Sequence, residues 1–75
     1  MVKNESKFDG VVIRRIKDYC KVNDISLGKL ADEAGLSQNQ IYYISTGRQR
    51  LTLDMYVRIC KALREPFSYF LKGEN

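Results

Sequence analysis

The sequence predicts an all-α fold, a compact domain of five helices. Three observations carry this reading. Apolar residues recur at helical intervals of three and four along most of the chain. Ser26, Ser37 and Thr52 each stand as an N-cap ahead of such a run. Between Ser26 and Thr46, two short periodic stretches meet at a single glycine, Gly35.

The first helix is expected over Asp9 to Val22, with Val12, Ile16, Tyr19 and Cys20 facing inward and Asn23 and Asp24 as its exit turn. Ser26 caps the second helix before Leu27, and Leu30, Ala31 and Ala34 mark its buried face. Ala31 has to be small, because the third helix crosses the second there. Gly35 stops the second helix, since a residue without Cβ adopts positive φ most readily and swings the chain into Leu36 and Ser37. Ser37 opens the third helix through a reciprocal capping box: its hydroxyl accepts from the Gln40 amide, and the Gln40 side chain reaches back to the Ser37 amide. Thr52 caps a fourth helix with Asp54 near its positive end and Met55, Ile59, Cys60 and Leu63 on its inner stripe. Pro66 starts a short fifth helix, Phe67 to Leu71. Residues 1–7 read as a flexible leader and 72–75 as a tail, which leaves 8–71 as the domain.

The third helix is the unusual one. At about 100° per residue, Ile41 and Ile44 define its buried stripe and leave Asn39, Tyr42, Tyr43 and Thr46 pointing away, with Gln38 at the exposed N-terminal end. A surface helix normally offers charges; this one offers amides and tyrosines. Amide side chains can form paired hydrogen bonds with adenine in a DNA major groove, and tyrosine can contact sugars, thymine methyls or phosphate. No carboxylate occurs from Ala34 to Leu53, while Arg48 and Arg50 follow Gly47, as a phosphate-facing surface requires. Tyr42 and Tyr43 also admit a simpler reading as a packing pair, and Arg14, Arg15, Lys17 and Lys21 one as a solvated face.

On these residues the chain resembles the phage repressor and Cro group, the Xre-like helix-turn-helix regulators, over roughly residues 11 to 71. Leu30 and Ala31 match the family's Leu-Ala pair, and Gly35 its motif glycine. Ile41 and Ile44 match the buried positions of the recognition helix, and Gly47 the glycine after it. Leu53, Ile59, Ala62 and Leu63 match the fourth-helix signature. The chain departs from the pattern at Leu27, where members often carry a glutamine that braces the first recognition residue. It departs again at Cys20 and Ser45, where many carry an arginine and a glutamate that pair. Both halves of that pair are absent together, so no charge is left stranded.

The resemblance implies a lambda-repressor-like five-helix domain with its helix-turn-helix at helices two and three. It implies base reading by Gln38, Asn39 and Tyr43, and DNA-backbone contacts by Ser37, Tyr42, Thr46, Arg48, Gln49 and Arg50. One or two of Phe67, Phe70 and Leu71 should close the core while Tyr69 and part of the remainder stay exposed. The resemblance implies a twofold dimer through the end of the fourth helix and the fifth, with Phe67, Tyr69 and Phe70 as the expected interface residues; the alternative for that run is a core lid. The expected function is a sequence-specific double-stranded DNA-binding transcriptional regulator, of phage-repressor, Cro-like or restriction-modification controller type, reading a palindromic operator as a homodimer. The alternative is an antitoxin or anti-repressor acting mainly through protein–protein contacts.

Composition narrows the remaining classes. The 75 residues carry a formal charge of +4, and the isoelectric point is about 9.2, which favours a polyanionic partner. Cys20 and Cys60 lie forty residues apart in a chain without histidine, which removes a Cys-His zinc site and the usual general base. No enzyme, metal, cofactor or small-molecule ligand is therefore expected, and both cysteines read as reduced core residues of a cytoplasmic protein. No stretch approaches the roughly 20 apolar residues of a membrane span. A chain of this length buries only about 60% of the surface its unfolded form exposes, so a subunit interface would add needed stability.

Overall fold

The computed structural model describes residues 2–71, with side chains from residue 9 onward. Among the described residues the elements are α1 (Val2–Val22), α2 (Leu27–Ala34), α3 (Gln38–Ser45), α4 (Leu53–Leu63) and a 3-10 turn at Tyr69–Leu71. Two expected boundaries change. α1 begins at Val2 rather than near Asp9, because hydrophobic periodicity marks a helix only where apolar residues recur, and in this sequence the recurrence sets in at Val12. The expected fifth α-helix is replaced by one 3-10 turn, closed by Tyr69 N to Pro66 O at 2.9 Å and Leu71 N to Ser68 O at 3.1 Å. Five residues make too few i→i+4 bonds to offset nucleation, and the tighter i→i+3 form is the usual outcome in so short a piece. The expected tail, 72–75, lies outside the described residues.

The local signals act where the sequence places them. Ser26, Ser37 and Thr52 all have extended backbones and accept from the amides of Lys29, Gln40 and Met55 respectively. Gly35 takes φ of 75°, and Leu36 N then bonds Ala31 O at 2.8 Å, closing α2 before the chain enters α3. Arg64 closes α4 in the same left-handed region, as Asp24 does in the turn after α1.

α2 packs against both α3 and α4, while α1 packs against α3 and the 3-10 turn. The main core gathers Val12, Ile16 and Cys20 of α1, Leu30, Ala31 and Ala34 of α2, Ile41 of α3, Tyr56, Ile59, Cys60 and Leu63 of α4, and Phe70. A smaller cluster of Ile13, Ile44 and Met55 seats the far end of α3. Ala31 is fully buried, as a close helix crossing needs. Leu53, part of the fourth-helix signature, is instead exposed, and Tyr56 takes up the inward position. The C-terminal lid is pinned by Arg15 Nη1 donating to Phe70 O at 3.0 Å, Tyr19 OH to Glu65 at 2.6 Å and Tyr56 OH to Phe67 O. Among the described residues, no helix is long and apolar enough to cross a membrane.

Candidate nucleic-acid interface

Ser37 fixes where α3 starts. Gln40 N donates to Ser37 Oγ at 3.0 Å and Ser37 N donates to Gln40 Oε1 at 2.9 Å, so two amides that a helix start leaves open are satisfied reciprocally. Ile41 and Ile44 anchor the inner face in the two core clusters. Their burial decides which side chains stand outside: Ser37, Gln38, Asn39, Tyr42, Tyr43 and Thr46 are all exposed.

The structure therefore brings together the expected base-reading residues, Gln38, Asn39 and Tyr43, on the outer edge of one short helix. They differ in how they are held. Gln38 Nε2 donates to the Gly28 carbonyl of α2 at 3.1 Å. The Tyr42 and Tyr43 rings lie 5.8 Å apart and tilted by 56°, with 58% and 38% of their surfaces open. The two rings thus pair with each other and still stand open to solvent. Thr46, expected as a backbone contact, has its hydroxyl turned back onto the Tyr42 carbonyl at 3.0 Å, which helps close the end of α3.

Gly47, with φ of 83°, turns the chain out of α3, and Arg48, Gln49 and Arg50 follow. Arg48 is exposed. Gln49 is half-buried, its amide 4.0 Å from the Met55 sulfur. Arg50 Nε donates to Asp9 Oδ2 at 2.6 Å, and the same oxygen accepts from Leu51 N at 3.2 Å. Asp9 is 9% exposed, so this nearly buried carboxylate of α1 ties down the loop after α3.

Sequence reasoning missed three of these groups. Asp9 stood out only as the start of α1, and nothing local announces a partner across the fold. Lys17, read as part of a solvated face, donates to the Ser45 carbonyl at 3.3 Å, placing a cation at the negative end of α3. Gly28 did leave a signal, since a glycine inside a predicted helix is a weak choice unless something needs the space. The expected interface residues separate: Phe67 and Tyr69 are 47% and 42% exposed, while Phe70 is 1% exposed and covered by Tyr19 and Tyr56. Phe70 is thus a core residue, and its place in the expected interface is corrected.

Chemically the surface offers amide, hydroxyl and guanidinium groups. The thiols of Cys20 and Cys60 are buried elsewhere, and burial pushes both up, away from the reactive thiolate. Without carboxylates from Ala34 to Leu53, the exposed edge of α3 and the following loop form a neutral-to-basic strip suited to a polyanion. A helix-turn-helix family model matches residues 16–70, which include α2, the Gly35 turn, α3 and α4. No curated protein and no solved structure matches the chain. With the motif, its two capped helices and the buried stripe of α3 all inside the matched span, the chain belongs to the Xre-like helix-turn-helix family of DNA-binding regulators.

Proposed function

We propose that this protein is a sequence-specific transcriptional regulator acting in the cytoplasm, a phage-type repressor, Cro-like switch or restriction-modification controller that reads a palindromic operator as a homodimer. The observation that carries the reading is the outer edge of α3. Six outward positions, Ser37, Gln38, Asn39, Tyr42, Tyr43 and Thr46, are exposed and uncharged, and Arg48 and Arg50 follow them. Gln38 and Asn39 stand in the first turn of α3, the end of a recognition helix that reaches base edges. Amides there can address adenine, while Ser37, Tyr42, Arg48, Gln49 and Arg50 engage the sugar-phosphate backbone and Thr46 holds the end of α3 behind them.

Selection of bound duplexes from a random pool tests this directly. The expected result is one enriched, approximately palindromic site. Replacing Gln38 or Asn39 by alanine should weaken binding to that site by about 1 to 3 kcal/mol and flatten preference at one or two positions of each half-site, with the fold unchanged by circular dichroism. An unchanged preference matrix for both variants rules out base reading by the first turn of α3.

A further inference from the structure

Gly28 occupies the first turn of α2, two residues after the Ser26 cap. Alanine is the better helix former at such a place, and the backbone does not ask for glycine, since only Gly35 and Gly47 among the described glycines have positive φ. What glycine provides is room for another side chain. A Cβ on Gly28 would stand 3.0 Å from Gln38 Oε1 and 3.7 Å from both Cδ and Nε2 of the same residue. The Gln38 amide thus lies against the bare face of Gly28 while its Nε2 donates to the Gly28 carbonyl at 3.1 Å. A helical carbonyl has two lone pairs, of which the helix ladder uses one, so this bond removes nothing from α2. One Nε2 proton and the Oε1 lone pairs remain for an outside partner.

We propose that Gly28 is a specificity-determining position: by omitting a Cβ and offering its carbonyl, it presets the Gln38 amide toward the purine edge of one base pair per half-site. A free glutamine would lose several rotamers on binding and could settle on more than one base; an amide already held has less freedom to lose and fewer bases it can satisfy. Gly28 is a positioning residue, acting only through Gln38. The inference rests on the reading of Gln38 as a base contact.

The test uses the full chain as wild type, Gly28→Ala, Gly28→Val, Gln38→Ala and the Gly28→Ala/Gln38→Ala double variant. Duplexes carrying each single base change of the selected site are bound in competition, beside a non-specific duplex over a range of salt. Gly28→Ala should melt no lower than wild type, because alanine suits the helix, and should keep wild-type affinity and salt slope on non-specific DNA. Its discrimination at the base pair that Gln38→Ala flattens should fall about three- to tenfold, a fraction of the loss of a bidentate contact. Gly28→Val should lose more, and adding Gly28→Ala to Gln38→Ala should change nothing further at that position. If Gln38→Ala alters the preference while both Gly28 variants keep the wild-type matrix, the proposal is overturned and base reading by Gln38 stands. Loss spread evenly over all positions in the Gly28 variants also overturns it, as a general effect on α2. If Gln38→Ala leaves the matrix unchanged, base reading by Gln38 fails and the role of Gly28 fails with it.

Discussion

Arg50 enters the loop after α3 with its guanidinium already engaged, and that decides how the two arginines of the loop should behave on substitution. Neutralising exposed Arg48 to alanine should weaken specific and non-specific DNA alike and lower the salt slope of binding by about one, with sequence preference and melting temperature kept. Arg50→Ala should lower the slope similarly but also lower the melting temperature, because it leaves the nearly buried Asp9 carboxylate without its cation. Titration of a labelled duplex at several salt concentrations, with a thermal melt of the unbound variants, separates the two. An unaltered slope in both places the phosphate contacts elsewhere. The charge of this strip was legible in the sequence, because the absence of carboxylates is a linear property. The Asp9 tie was not, since its partners are 41 and 42 residues away and no local pattern marks such a pair.

At the scale of elements, what was legible is what is made locally. A cap, a left-handed glycine and a reciprocal Ser37–Gln40 bond each involve residues a few positions apart, and all three stand where the sequence put them. The C-terminal segment is too short to hold an α-helix, and its placement is not legible locally, because distant groups hold it down: Arg15 and Tyr19 from α1, the latter through Glu65, and Tyr56 from α4. One of these clasps is sensitive to alkali. The Tyr19 hydroxyl donates to Glu65, and that bond, with burial and the carboxylate charge, pushes its pKa up to about 12. In the unfolded chain the same phenol titrates near 10. The clasp should therefore contribute its full stability below about pH 10 and lose it as the pH rises toward 12, where the unfolded chain has already released the proton that the folded one retains. Tyr19→Phe should lower the urea midpoint at pH 8 and decline less steeply than wild type between pH 10 and 12. Tyr56, also pushed up to about 12, chiefly by burial, remains in the variant and keeps part of the slope. Parallel declines for the two proteins assign the alkaline loss to Tyr56 and other groups.

At the scale of the whole molecule, apolar side chains are left on the surface that a larger domain would cover. Leu53 is 67% exposed and lines, with Phe67, Leu71 and Tyr56, a groove of about 270 Å³ where α4 begins and the C-terminal segment passes. Tyr69 is exposed on the other side of the same segment, edge-on to Tyr19 at 5.6 Å. The sequence announced this aromatic segment, but which rings turn inward depends on the fold, and Phe70 alone of the three expected interface residues fills the core. A single eight-residue recognition helix reads few base pairs, whereas a twofold pair reads two half-sites about 34 Å apart, one turn of duplex. Phe67→Glu or Tyr69→Glu should accordingly lower the sedimenting mass at micromolar protein while the helical circular dichroism persists. Affinity for the palindromic site should fall steeply, and its binding curve should depend more strongly on protein concentration, because dimerisation then becomes part of the binding free energy. Binding to an isolated half-site should change little. A wild-type protein that sediments as a monomer at high concentration and selects a single non-palindromic half-site contradicts the dimer, and Phe67 and Tyr69 are then the outer shell of the lid over Phe70.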